Sequence, residues 1–241
     1  SGDSHSLSIF PISEVVASTS NFDVFSHSRD GCAFPFHGEP TRKNCNEVQS
    51  SIAKVIVKEM TNRNNGSFII ATSYLNYHFG FSGLNRNQFE RHSNDFNSSV
   101  YKNLEGFIDA SRRLAGKLRN VNASLILVAP LPEHPGFTPE LCSRQWFRPS
   151  PASTCQKTER DFLELQRKHI LEAINKLAME INNIYIFDPF NKFCDDKYCY
   201  VKKENTYLFS DDDHLSKEGA LMISQDLLLL INSINSQKSK P

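Results

Sequence analysis

With 241 residues the chain is long enough for one α/β domain with a full core. Its 27 basic and 27 acidic side chains cancel, so no global field argues for nucleic acid or an anionic membrane surface as partner. Hydrophobic (39%) and aromatic (11%) content suits a folded core, yet the longest apolar run, Leu227 to Ile231, is too short to cross a bilayer, and no signal peptide is visible.

Taken in order, the chain opens with Gly2-Asp3-Ser4-His5, a turn at the edge of a predicted helix over 7–18 that tolerates Pro11 near its start. A short strand is expected over 23–26, followed by Gly31-Cys32 and a loop through Pro35, Gly38 and Pro40 to Cys45. Asn46 caps a helix to about residue 62, with Val48, Ile52, Val55 and Ile56 on its apolar side. The run 67–72 (SFIIAT) reads as a buried strand, whereas 73–94 is polar and aromatic without a firm period. A helix over 95–118 and a strand over 123–129 come next; Pro130, Pro132 and Pro135 then open a long loop through Cys142 and Cys155. The longest helix is expected over 158–181, on the stripe Leu163, Ile170, Ile174, Leu177 and Ile181, and a last strand over 184–188. Ser216 then caps a helix carrying Ala220, Ile223, Leu227 and Ile231, and residues 236–241 form a tail expected to fray. Strand and helix alternate throughout, which points to a parallel sheet with helices on both faces.

The six cysteines fall into three local pairs, Cys32 with Cys45, Cys142 with Cys155 and Cys194 with Cys199. Closure of short loops favours disulfides in this pairing and hence an oxidising compartment. Zinc is the rival reading, but no Cys-x-x-Cys or His-x-x-x-His spacing accompanies the cysteines.

The chemistry sits at the two ends. In Asp211-Asp212-Asp213-His214-Leu215-Ser216 a carboxylate precedes a histidine by three residues, and the histidine lies in the loop before a helix cap. A loop histidine so placed suits a general base better than a core filler. At the other end glycine allows a tight turn, and Ser4 presents a hydroxyl with little shielding. Ser4 as nucleophile, His214 as base and Asp211 as orienting acid follow the logic of a catalytic triad, while Asp212 and Asp213 are expected to be solvated. In a parallel sheet both ends arrive at the carboxyl edge of the strands, where ligands gather. Calcium is a poor fit to the acidic run, because the ligand spacing of an EF-hand loop is missing.

These blocks, Gly-Asp-Ser-His and Asp-Asp-Asp-His-Leu-Ser-Lys-Glu-Gly-Ala, resemble the SGNH (GDSL-like) hydrolase family, and in particular the SGNH domain fused behind type-three membrane acyltransferases, the surface-polysaccharide O-acetylases. The resemblance spans nearly the whole chain. It implies a three-layer α/β/α fold of flavodoxin-like type with a central parallel sheet of about five strands, the first truncated here. It further implies a single extracytoplasmic domain on the periplasmic side, the C-terminal part of a longer membrane protein, monomeric on its own. An upstream membrane domain would deliver an acetyl group, and a carbohydrate would accept it. For the oxyanion hole the family pattern implies the N–H of Ser4, a glycine matched by Gly31, and an asparagine for which Asn76 is the nearest match. The stretch before Asn76, Ala71-Thr72-Ser73-Tyr74-Leu75, departs from the usual Gly-x-Asn-Asp block. No metal or organic cofactor is called for.

Two alternatives use the same residues. A free esterase acting on acylated carbohydrate needs the same triad, since only the acceptor differs. A glycan-binding module with a decayed site is motivated by the off-pattern third block and by Tyr74, Tyr77, Phe79, Phe81, Trp146 and Phe147, because sugars pack on aromatic faces.

Overall fold

The computed structural model describes residues 1–19, 23–29, 31–35, 44–61, 67–80, 82–84, 86–94, 98–142, 146 and 157–238. In chain order these form α1 (Ser4–Ser8), α2 (Phe10–Thr19), α3 (Cys45–Thr61), β1 (Ser67–Ala71), α4 (Leu75–His78) and α5 (Arg86–Asn94). There follow α6 (Ser98–Arg119), β2 (Ala123–Val128), α7 (Pro139–Cys142), β3 (Lys157–Glu159), α8 (Arg160–Glu180) and β4 (Ile184–Phe187). The chain closes with β5 (Tyr198–Tyr200), β6 (Lys202–Lys203), β7 (Thr206–Tyr207), α9 (Lys217–Met222) and α10 (Ser224–Lys238). None of the described helices is long and apolar enough to cross a membrane.

Three parallel strands in the order β1-β2-β4 make the central sheet. All six residues of β2 are buried, as a strand covered on both faces requires. Because side chains alternate along a strand, the two faces feed two cores. On one face Ile69, Ala71, Leu125, Leu127 and Ile184 pack with Phe107 and Leu118 of α6 and Ile170, Ile174 and Leu177 of α8. On the other, Ile126, Val128 and Phe187 pack with Ile12 and Val16 of α2, Ala220 of α9, and Leu227 and Ile231 of α10. The result is helix, sheet, helix.

Five strands are not what the described residues show. Beyond β1 the sheet continues only as isolated parallel bridges, with Gly2 set between Thr72 and Ser28. The Gly2 N–H donates to the His27 carbonyl (3.2 Å), the Arg29 N–H to the Gly2 carbonyl (3.1 Å), and the Thr72 N–H to the Ser1 carbonyl (2.9 Å). The expected strand over 23–26 does not form: Val24 and Phe25 are exposed, and Ser28 makes the pairing instead. The antiparallel pairs β3–β5 and β6–β7 are additions, too short to show a period in sequence. Thr158 and Glu159 lie in β3, so α8 starts at Arg160 and, at 21 residues, is one shorter than α6 at 22. α10 continues to Lys238, whose ammonium donates to the Asn122 carbonyl (3.0 Å), into the stretch expected to fray.

Cys32–Cys45 and Cys194–Cys199 are disulfides. Cys142 is disulfide-bonded as well; its expected partner Cys155 lies outside the described residues.

Candidate active site

Ser4 is the first residue of α1, directly after its N-cap Asp3. That capping carboxylate is 2% exposed and ties three segments together. Its Oδ1 accepts from the His5 backbone N–H (3.0 Å), and its Oδ2 from the Tyr74 N–H (2.8 Å) and from His78 Nε2 (2.9 Å). Burial pushes the Asp3 carboxyl up, but the hydrogen bonds from His5, His78 and Tyr74 outweigh it and hold the group well below the usual carboxylate range. The turn that presents Ser4 is thus bolted to the loop after β1. Gly2 fixes its other side, since a Cβ there would lie 1.5 Å from the Thr72 carbonyl oxygen.

The far end of the chain supplies the partners. A bridge between Phe209 and Leu215 closes a loop, and within it the Ser210 N–H donates to the His214 carbonyl (2.8 Å). Asp211 Oδ1 accepts the backbone N–H groups of Asp213 (3.1 Å) and His214 (2.7 Å), which shapes the loop from inside. Ser216 then caps α9, accepting from the Gly219 N–H (3.0 Å) while donating to the Tyr207 carbonyl (2.7 Å). The stripe expected beyond it is buried, although the helix breaks at Ile223 between α9 and α10.

Fold and loop bring the ends together. His214 Nε2 lies 2.8 Å from Ser4 Oγ, and its Nδ1 lies 2.9 Å and 3.0 Å from the two oxygens of Asp211. Asp213 is not the solvated residue expected: its Oδ1 is 2.6 Å from the same Nδ1, and its side chain is 14% exposed against 42% for Asp211. The hydrogen bond to Asp211 and then the contact with Asp213 push the imidazole pKa up, to about 10. Asp211 itself is held well below the usual carboxylate range, burial being outweighed by the bonds from His214 and Asp213.

His5 packs against this pair. Its ring stacks on His214 (centroids 4.2 Å apart) and, on the other side, on Tyr74 (4.7 Å), which in turn stacks on Tyr77 (5.7 Å). Four rings therefore run from His214 to Tyr77, which is 51% exposed. Of the other aromatics singled out in the sequence, Trp146 is exposed and Phe79 is buried in the core; Phe81 and Phe147 lie outside the described residues.

The remaining donors expected around Ser4 are placed differently. Gly31 has a left-handed backbone (φ 68°) in the loop that follows the Ser28 bridge, at the same edge of the sheet as Ser4. Asn76 is buried, and its Nδ2 donates to Glu133 Oε1 at 2.5 Å; no hydrogen bond joins it to Ser4. Sequence reasoning missed Glu133, a 4% exposed carboxyl in the proline-rich loop after β2. Burial pushes its pKa up to about 7, against the opposing pull of hydrogen bonds from Asn76 and Tyr74. With Thr72, Asn76, His5 and Asp213, Glu133 lines a cavity of about 20 Å³, room for about one water. Its neighbour His134 fastens the acidic loop, its N–H donating to the Asp212 carbonyl (2.7 Å). An acid so deeply buried inside a loop sequence is a tertiary outcome, and only Pro130-Leu131-Pro132 hinted at a rigid loop there.

Chemically, a hydroxyl bonded to an imidazole that is bonded to a carboxylate is an arrangement for activating a serine. Compared with known families, residues 1–228 match the family described as "SGNH domain (fused to AT3 domains)", and the chain belongs to that family. No curated protein matches the chain.

Proposed function

We propose, taking membership of the acyltransferase-fused SGNH family as the premise, that this chain is a serine O-acetyltransferase domain whose catalytic residues are Ser4, His214 and Asp211. The observation that carries the reading is the unbroken series Ser4 Oγ, His214 Nε2, His214 Nδ1, Asp211, each step within 3.0 Å. Ser4 Oγ attacks the carbonyl carbon of an acetyl donor while His214 Nε2 takes the hydroxyl proton; the donor's leaving oxygen departs with that proton, and an acetyl-Ser4 ester remains. An acceptor hydroxyl then attacks the ester, His214 takes its proton, and Ser4 Oγ leaves by recovering that proton. The Ser4 and Gly31 N–H groups are the oxyanion donors of this reading, each such donor being worth about 3 kcal/mol. Asn76 gives one of its two amide hydrogens to Glu133 and has the other to offer as a third donor.

The acceptor in this reading is a cell-surface polysaccharide, and the exposed face of Tyr77 at the end of the ring stack supports it by offering a platform for a sugar ring. The domain lies on the extracytoplasmic, periplasmic side of the inner membrane, as one domain at the C-terminal end of a membrane acyltransferase. The disulfides accord with an oxidising compartment. Esterase action is the competing reading, with water in place of the sugar.

The test is acetyl transfer from p-nitrophenyl acetate with water or an oligosaccharide as acceptor. Acetylated sugar, absent with Ser4→Ala and with His214→Ala, is the expected result. Acetate released to water alone, unaffected by sugar, establishes the esterase instead, and activity that survives Ser4→Ala refutes both.

A further inference from the structure

Two carboxylates contact one nitrogen of His214, and the site reading uses only one of them. Asp211 makes the hydrogen bonds to Nδ1 at 2.9 Å and 3.0 Å and also accepts two backbone N–H groups of its own loop. Nδ1 carries one proton, and Asp211 receives it. Asp213 Oδ1, at 2.6 Å, is an ion contact off that hydrogen-bond axis, and it is the better shielded of the two acids. Charge in such a place acts through a lower effective dielectric than charge facing water, so it weighs more per ångström. Asp213 is itself surrounded. His5 Nε2 stands 3.8 Å away, and Asp3 Oδ1 is 3.4 Å from the other nitrogen of that ring. Tyr74 and Glu133 both sense the Asp213 charge from the opposite wall. Asp212, in the same loop, is exposed, and its carboxylate lies within 4.8 Å of those of Asp211 and Asp213. His5 stacks on His214, so the ring cannot swing from Asp213 toward Tyr74.

We propose that Asp213 is a second acid of this site, dividing the work with Asp211: Asp211 aims the His214 ring, and Asp213 stabilises the positive charge that the ring acquires when it takes the Ser4 proton. His5 is the wall that keeps the ring against both. The proposal rests on the acyl-transfer reading for its role in turnover, but the contact is testable without it. No covalent step is added. The negative charge is supplied by the Asp213 carboxylate, 2.6 Å from the ring nitrogen.

The experiment compares Asp213→Asn, Asp213→Glu and Asp211→Asn by the pH dependence of kcat/KM for p-nitrophenyl acetate. His214 is followed in the same proteins by NMR, through its ring titration and its downfield Nδ1 proton. Loss of a carboxylate at this distance lowers the pH at which the ring loses its proton. Asp213→Asn is therefore expected to move both the ring titration and the acid limb of kcat/KM down by about one pH unit or more, while the Nδ1 proton signal persists. Asp213→Glu restores the parental limb. Asp211→Asn removes the Nδ1 signal, because the aiming bond is gone. An Asp213→Asn protein that folds, by circular dichroism, and titrates as the parent does overturns the proposal; so does loss of the Nδ1 signal in that variant. If Asp213→Asn does not fold, Asp213→Ser is read by the same criteria. Ser4→Ala separates the two readings: undiminished turnover there removes the acyl-transfer function, while the NMR titration still decides the role of Asp213.

Discussion

Replacing Glu133 with glutamine isolates the energetics of one buried wall of the candidate site. The side chain is 4% exposed, accepts from Asn76 Nδ2, and has its pKa pushed from 4.5 up to about 7 by burial. A difference of about 2.5 units corresponds to about 3 kcal/mol between the two protonation states. The direction follows from which state of the chain holds its proton longer. The folded value is raised, so the stability associated with neutral Glu133 is full below about pH 4.5. It declines as the pH rises, and above about pH 7 it is gone. Glutamine keeps the carbonyl oxygen that Asn76 needs and cannot ionise. Relative to the parent, Glu133→Gln should gain about 3 kcal/mol between pH 4.5 and pH 8, read from urea unfolding at a series of pH values. A difference between the two proteins that does not change with pH would refute the reasoning, because it would mean that Glu133 ionises as readily folded as unfolded.

Two further substitutions probe the scaffold. Gly2→Ala places a methyl group 1.5 Å from the Thr72 carbonyl oxygen and 2.7 Å from its carbon, so the pairing of Gly2 with Thr72 must open. A cost of at least about 3 kcal/mol is expected on thermal melting, and a neutral result would mean that the close approach does not exist in solution. Ser216→Ala removes both the cap of α9 and the bond to the Tyr207 carbonyl; about 1 to 2 kcal/mol should be lost in denaturant, with no effect if solvent replaces the cap.

Much of this was legible in the sequence because it is periodic or local. The stripes of α8 and α10 and the apolar runs of β1, β2 and β4 announce themselves, and the loop Asp211–His214 carries its meaning within four residues. What stayed hidden is what depends on distant neighbours. Gly2 pairs on both sides through a single residue, which leaves no alternation to detect. Asp213 looked like one more solvent-facing acid, since nothing local says that His5, from the other end of the chain, will lie 3.8 Å from it. Asp3 and Glu133 are buried carboxylates, and burial of an acid is decided by the partners that tertiary structure supplies. The departure of Ala71-Thr72-Ser73-Tyr74-Leu75-Asn76 from the family pattern was visible, and the contact of Asn76 with Glu133 gives it a physical counterpart.

The bridge between Phe209 and Leu215 divides the site into two mechanical regimes. Asp211 and His214 ride on one short closed loop, so their separation is set within that loop. The gap between Ser4 and His214 spans 210 positions of chain and is held through tertiary contacts, Asp3 to Tyr74 and His78 on one side and His134 to the Asp212 carbonyl on the other. Slackening of those contacts, by temperature or mild denaturant, is therefore felt between Ser4 and His214. A displacement of about an ångström breaks the Ser4–His214 hydrogen bond while the imidazole–carboxylate couple stays intact.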